Sequence, residues 1–579
     1  MEVFFCCFGN DNINYTNNAY CFSRFNVVSY LVELNPTNSK ESKLGGFFMR
    51  KNRKYLLRNI LLVMIVFILT ACAGGGDEEG TENEAQDTEV NTGDLVVESV
   101  SGPVSLDPHT SSDLPSSHVQ APIYERFTKM DADGKIIPSL AESWKTINDT
   151  TWEFKLQEGV KFHDGEDFNA ETAKLNFDRM LDSEIGSPNA FVFEMISSVE
   201  VVDEYVLKIE TTYPFGALPA YLSHSGGAMI SPKSIEADYA AVAEGELPGA
   251  TINEKPVGTG YLTFETWTPG VEVILAKNEE YWGELAAVDS ITFKTIPEST
   301  TRLAELKGGY AHIIDAVQPT EVPEISDSEE GDVDIKNSTS LSYIGFNTKK
   351  KPFDDVRVRQ AITMLTNREE ILEGVYDGFG SPAVGPLAPG VFGHNEGIEP
   401  IPYDPEQAKE LLKEAGLADG FDMTLWTNDH PQRKDTAILV QEALKEANIN
   451  VEIEVFEWGA YLDHLSNGKH DMFIMGLWNP VGDADYFLMQ LFHSSNVGTG
   501  NRSFFENAKV DELLEAARQE IDEAKRLELY KEVEELIIAE APAIFVHHQA
   551  YLRGVSNKVT GYEFNPAGFY DLHKVKFVE

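Results

Sequence analysis

After position 72 this chain contains no cysteine, because the four cysteines in its 579 residues are Cys6, Cys7, Cys21 and Cys72. The long remainder therefore has no thiol pair for a disulfide framework and no thiolate ligands for a metal site. Basic residues are scarce as well, with 46 lysines and arginines against 95 aspartates and glutamates. The net charge of −49 repels nucleic acid and anionic lipid headgroups, so we expect neither as a partner.

The sequence also lacks the short motifs of several enzyme classes. No Gly-Lys-Ser/Thr phosphate loop is present, and the glycine pattern that starts at 258–260 fails at Thr263. Residues 223–227 (SHSGG) lack the flanking glycine of a nucleophile elbow, and no His-Glu-x-x-His zinc motif occurs. His547 and His548 are adjacent, and neighbours on a strand point to opposite faces, which makes a poor chelating pair. We therefore expect no metal, no cofactor and no enzymatic activity.

A cationic stretch followed by a short apolar run and a cysteine is present near the N-terminus. Basic residues at 50–58 precede an apolar core at 60–69, which at about ten residues is too short to span a bilayer comfortably. The run closes at Leu69-Thr70-Ala71-Cys72. This pattern is typical of a bacterial lipoprotein signal, so we expect residues 49–71 to be removed and Cys72 to carry lipid. An uncleaved signal anchor with a chance cysteine is the alternative.

Two further segments are defined by that signal. A signal should begin the chain, and Met49 directly precedes the basic stretch, so residues 1–48 are interpreted as a mis-assigned upstream extension. Residues 72–93 follow the cleavage point and include seven acidic side chains and no basic one. Such a composition cannot offset the entropy of ordering, and we expect a disordered tether that holds the body at the extracytoplasmic face of the cell membrane.

The chain as a whole has 42% hydrophobic and 11% aromatic residues, enough for its body to bury large cores, and the length of the body predicts two or three domains. In its second half the pattern predicts strands at 423–426, 451–456 and 471–477, separated by helices at 436–447 and 459–466. Strands separated by helices of this length form parallel sheets, which bind ligands beyond the carboxyl ends of their strands. Trp426, Trp458 and Trp478 lie at or just past those ends. They predict an aromatic cleft, or else they fill one edge of the core.

The order of several motifs resembles one known family. The stretches are SLDP (105–108), IYE (123–125), PSLAESWKTINDTTWEFKLQEGVKFHDGEDFNAETAK (138–174), VGTGYLTFETWTPG (257–270), NEEYWG (278–283), GFNTKKKPFDDVRVRQAI (345–362) and YDPEQAKELLKEAG (403–416). Together they are similar to the family 5 extracytoplasmic solute-binding proteins, the peptide- and nickel-type binding lipoproteins of ABC importers. The resemblance covers nearly the whole chain after residue 94.

The resemblance implies a two-lobed α/β fold of the periplasmic-binding-protein type, with a hinge and an extra domain inserted in the N-lobe. Residues 94–124, 255–343 and 547–579 would build lobe I, residues 125–254 the inserted domain II, and residues 344–546 lobe II. The crossings would lie at Tyr343, Gly345 and Phe545. A monomer of this kind encloses its ligand between the lobes and presents it to a permease and its ATPase.

The ligand implied by the resemblance is of the peptide class. Peptide binders of the family typically hold the ligand's amine with an aspartate that aligns here with Pro480, so we expect Asp483 or Asp485 to take that role. The segment after Trp478 resembles that of glutathione-binding members, and Arg433 and Arg502 would bind the ligand's carboxylates. The alternatives are a nickel chelate or haem as cargo, a peptide-sensing receptor, and a tethered hydrolase.

Overall fold

The computed structural model describes residues 93–578, and it divides them into three sheet-based parts. The predicted upstream extension, signal, lipidated Cys72 and all of the tether except Gly93 lie outside the described residues. Within that range no helix has both the length and the hydropathy that crossing a membrane requires.

Lobe I is built on a seven-stranded mixed sheet. In spatial order its strands are Gly331–Asn337, Ala550–Ser556, Ile313–Ile314, Asp94–Ser99, Ser290–Thr295, Glu272–Lys277 and Leu262–Thr268. The helices of this lobe are Leu114–Gln120, Ser299–Gly308 and Val322–Ser326, with a 3₁₀ turn at Pro319–Glu321. Two short strand pairs close the C-terminus: Val559–Thr560 with Lys576–Phe577, and Glu563–Phe564 with Tyr570–Asp571. The central strand Asp94–Ser99 is parallel to both of its neighbours, and its alternating Leu95 and Val97 pack into the core.

A second part lies between the first strand of lobe I and the strand Leu262–Thr268. Its four-stranded antiparallel sheet has the order Ala141–Asn148, Thr151–Leu156, Val206–Thr211, Ile196–Asp203, and a hairpin joins Thr128–Met130 to Ile136–Pro138. Its helices are Ala170–Leu181, Ala190–Phe193, Leu218–Tyr221, Pro232–Glu244 and Ala250–Glu254, with a 3₁₀ turn at Ser225–Gly227. The sheet falls within the expected 125–254 insertion. Asn169 caps the first helix with a reciprocal capping box through Thr172.

Lobe II has a six-stranded mixed sheet with helices on both faces. Its strands are, in order, Ser381–Pro382, Ala543–His548, Leu341–Phe346, Met472–Leu477, Phe421–Asn428 and Ile449–Phe456. Its helices are Val356–Leu365, Arg368–Tyr376, Pro405–Glu414, Pro431–Leu444, Trp458–Ser466, Ala484–Phe492, Ala508–Gln519 and Glu523–Glu540, with 3₁₀ turns at Lys445–Ala447 and Ser494–Asn496. The three predicted strands are parallel to one another, and an antiparallel neighbour at Leu341–Phe346 makes the sheet mixed.

The chain crosses between the lobes slightly apart from the expected positions. Tyr343, Gly345 and Phe545 are inside strands of the lobe II sheet, so the expected boundaries at 343/344 and 546/547 cut through paired strands. The connecting segments are instead 338–340 and Gln549, and the Ser338 amide donates to the Gln549 carbonyl at 2.8 Å. Apolar patterning could not locate the second crossing, because residues 546–548 and Ala550 on either side of Gln549 are all buried strand residues.

Candidate functional site

A cleft of about 900 Å³ lies where the two connecting segments join the lobes. Lobe I contributes residues 315–320 and 550–552 to its lining. Lobe II contributes residues 341–342, 375–377, 379, 430–433, 476–478 and 547, and the crossings contribute Ser340 and Gln549. Clefts of roughly 300–1,000 Å³ with a few convergent polar groups are the usual form of small-ligand sites, so this is the candidate functional site.

Arg433 is the cationic side chain that the lobe II wall presents to the cleft. It stands in the first turn of the Pro431–Leu444 helix, where its half-buried guanidinium donates from Nη1 to Asn428 Oδ1 at 3.0 Å. A Cβ at Gly476 would lie 3.3 Å from Nη2, so glycine at that position lets the guanidinium lie close over the strand. Burial lowers the pKa of Arg433, and no carboxylate lies within 4.0 Å of it among the described residues. Its positive charge is therefore available to a ligand.

The three predicted tryptophans have three different environments. Trp478 lines the cleft, and its Nε1 donates to the Ala567 carbonyl of lobe I at 2.7 Å, which links the two lobes. Trp458 is 42% exposed, and the Arg433 guanidinium lies 5.5 Å from the centre of its ring. Trp426 is buried against Phe456 in the lobe II core and does not line the cleft. The lining of the cleft therefore contains Trp478 but not Trp426 or Trp458, so it has fewer tryptophans than the sequence predicts.

Asp483 is buried away from the lining of the cleft. Its Oδ1 caps the Ala484–Phe492 helix by accepting from the amide of Asp485, and both its oxygens accept from Arg526 Nη2, at 2.8 and 3.0 Å. Burial lowers the pKa of Arg526, but the charge of Asp483 outweighs that effect and raises it above its ordinary value. A ligand contact by Asp483 stays a prediction, and the structure gives this carboxylate a different partner.

Asp485 has a similar internal environment. It is buried, and Arg518 donates to it from Nε at 2.8 Å and from Nη2 at 3.0 Å. The Tyr221 hydroxyl of the inserted domain donates to its Oδ2 at 2.6 Å, so the carboxylate joins that domain to lobe II. Arg502 is half-buried outside the cleft lining, and its Nε has no hydrogen-bond partner among the described residues. Of the four charged residues predicted to contact a ligand, the structure brings only Arg433 to the cleft.

Several lining residues were not predicted. The rings of Tyr376 and His547 are in contact, with centres 3.8 Å apart and planes tilted by 35°. Burial lowers the pKa of His547 to about 3, so its ring is neutral. Asp315 and Asp377 supply the carboxylates of the lining. Asp315 directly follows the apolar strand Ile313–Ile314, so the rule that ligand groups follow parallel strands could have identified it. The described residues contain no group of three or more His, Cys, Asp or Glu placed to hold a metal ion.

The comparisons with known proteins agree with this architecture. Residues 135–499 match the profile described as bacterial extracellular solute-binding proteins, family 5 Middle. The chain belongs to this family. The glutathione-binding protein GsiB of Salmonella typhi is 32% identical over 483 residues, which cover 82% of this chain and 92% of that protein. Di/tripeptide-binding protein 1 of Pseudomonas aeruginosa UCBPP-PA14 is 30% identical over 478 residues, covering 78% and 88% of the two chains.

A solved structure supports the family 5 fold directly. The periplasmic binding protein DppA from Helicobacter pylori, in complex with the peptide STSA, superposes with a TM-score of 0.71 at 30% identity. The match covers 84% of this chain and 98% of the other. The predicted two-lobed α/β fold and the predicted family are therefore both confirmed, and this chain is an extracytoplasmic solute-binding protein of family 5.

Proposed function

We propose that this protein captures a peptide-class ligand, glutathione or a short peptide, between its two lobes and delivers it to an ABC importer. The observation that carries the proposal is Arg433, a half-buried cation in the cleft with no carboxylate partner among the described residues. Peptides and glutathione end in a carboxylate, a group that a guanidinium can bind with two parallel hydrogen bonds. The names of the glutathione- and di/tripeptide-binding relatives support the same class.

The cleft also suggests how capture would be signalled. Ligand bound to both lobes stabilises the closed arrangement over the open one, and a permease can then distinguish loaded from empty protein. We propose that the segments 338–340 and Gln549 act as the hinge, since the chain passes between the two large sheets there and the Ser338 amide donates to the Gln549 carbonyl. Lipid on Cys72 would hold the monomer near the permease and its ATPase. Membrane fractionation of cells that express the wild-type chain or Cys72→Ser tests the lipid anchor. If Cys72→Ser remains in the membrane fraction, the proposal that lipid on Cys72 anchors the protein is refuted.

Isothermal titration calorimetry tests the ligand class. Glutathione, dialanine, trialanine and tetraalanine are titrated into wild-type protein, Arg433→Gln and Arg357→Gln. Arg357 is the control because it pairs with Asp355 on the exposed surface of the same lobe. Loss of a hydrogen bond to a charged group should weaken binding to Arg433→Gln by roughly 10- to 100-fold, and the control should bind as wild type does. C-terminally amidated ligand should bind wild type and Arg433→Gln alike. If no peptide gives heat or a thermal shift with wild type, the peptide proposal fails.

A further inference from the structure

Asp315 faces the same cleft from the opposite lobe to Arg433. It follows the strand Ile313–Ile314 and is half-buried. Its Oδ1 lies 3.0 Å from Nε of Arg553, whose side chain is 1% exposed. No hydrogen bond to its Oδ2 occurs within residues 93–578. Arg553 therefore orients one oxygen of the Asp315 carboxylate, and the residue lines the cleft. Such a carboxylate can accept a hydrogen bond from a donor group of a ligand.

The backbone around this carboxylate is held rigidly. The Asp315 amide donates to the Glu98 carbonyl at 2.8 Å. Arg302 is buried, and it donates from Nε to the Asp315 carbonyl and from Nη2 to the Ala316 carbonyl, each at 3.1 Å. Ala316 has a φ of +51°, a left-handed conformation that costs free energy for any residue with a Cβ. The surrounding bonds keep this segment in one conformation, as a binding site requires.

On the basis of the proposed function, we propose that Asp315 binds the ammonium group of the ligand while Arg433 binds its carboxylate. Asp377, the other carboxylate of the lining, is exposed and has no salt-bridge partner among the described residues to orient it. Because each lobe supplies one of the two charged groups, a zwitterionic ligand makes both contacts only when both walls touch it. The closed state therefore makes one more charged contact with the ligand than the open state, which favours closure. A peptide with a blocked amino terminus lacks the ammonium group and should bind less well than the free peptide.

Calorimetry with a blocked ligand tests the assignment. The tightest of glutathione and the three alanine peptides is compared with its N-acetylated form on wild type, Asp315→Asn and Asp377→Asn. Wild type should prefer the free amine by roughly 10- to 100-fold, the value for a hydrogen bond to a charged group. Asp315→Asn should lose that preference because it weakens binding of the free form alone. Asp377→Asn should keep the wild-type preference, and asparagine suits its left-handed backbone.

Folding of the variant is controlled separately, because Asp315→Asn leaves Arg553 buried without a counter-charge. If circular dichroism shows that it unfolds, the double variant Asp315→Asn/Arg553→Met replaces it, since methionine fits the aromatic surroundings of Tyr551, Phe564 and Tyr570. Equal binding of free and acetylated ligand by wild type overturns the assignment. The assignment is also overturned if the Asp315 variants still prefer the free amine to the acetylated ligand, or if Asp377→Asn loses that preference. Failure of wild type to bind any of the peptides instead refutes the proposed function, and the assignment with it.

Discussion

Replacing Asp483 by asparagine should destabilise the fold without removing ligand affinity. The side chain is 3% exposed and pairs with Arg526, which is equally buried. Asparagine is as good an N-cap as aspartate, so the substitution preserves the cap of the Ala484–Phe492 helix and removes only the charge. Breaking a buried ion pair from one side costs about 3–5 kcal/mol, because the remaining charge is left without compensation.

Urea unfolding followed by tryptophan fluorescence measures this loss, and calorimetry with the best peptide ligand measures affinity on the same preparation. Asp404→Asn is the matched control: Asp404 also caps a helix, but it is exposed and pairs with no cation among the described residues. Its effect should stay within about 0.5 kcal/mol, as for most surface substitutions. The double variant Asp483→Asn/Arg526→Met should recover part of the loss, since it removes both charges.

A different result would reverse the interpretation. If Asp483→Asn unfolds at the wild-type urea concentration but loses ligand affinity, the carboxylate contacts the ligand, as its sequence context predicts. The internal pairing with Arg526 would then describe the unliganded arrangement alone.

Two further predictions concern buried carboxyl groups. Burial raises the pKa of Glu534 from its ordinary value to about 8, so the folded protein keeps a proton that the unfolded chain releases near pH 4.5. Stability should therefore fall as pH rises from 5 to 8, by up to about 1.4 kcal/mol per pH unit, and Glu534→Gln should flatten this slope in urea unfolding. If stability depends on pH as steeply in Glu534→Gln as in the wild type, the assignment of the slope to Glu534 is contradicted. Tyr221→Phe should cost about 1.5–3 kcal/mol in the same assay, because it removes the hydrogen bond to the buried Asp485. Tyr239→Phe, whose partner Asp182 is partly exposed, should cost less, and equal losses would refute the reasoning.

Local patterns predicted the local structure well. Asn169 and Asp404 are residue types that favour N-caps, and each caps a helix. The three strands predicted in the second half of the chain are present and parallel to one another. Each of these features depends on residues close together in the chain: a cap and the amide three residues on, or an apolar run and its period.

The charged part of the site was harder to predict. Arg433 reaches the cleft as expected, but Asp483 pairs with Arg526, which lies 43 residues further along the chain. Nothing local to Asp483 indicates that partner, so an aspartate near a ligand-facing strand end looks the same whether it binds a ligand or an arginine. The position of Asp315 directly after an apolar strand could have identified it, but the partner that orients its carboxylate, Arg553, lies on a strand distant in the chain.

The sequence by itself determined the family, the α/β character and the presence of the predicted strands and helices, because these follow from periodicity and the order of motifs. It did not determine the helix ends, since the helix predicted at 436–447 is Pro431–Leu444 in the structure. The tertiary structure decided which charges remain available to a ligand. Electrostatic pairing depends on distance in space, and folding brings residues that are hundreds of positions apart, such as Asp315 and Arg553, to 3.0 Å. Folding likewise pairs Asp483 with Arg526, whereas Arg433 has no carboxylate partner among the described residues.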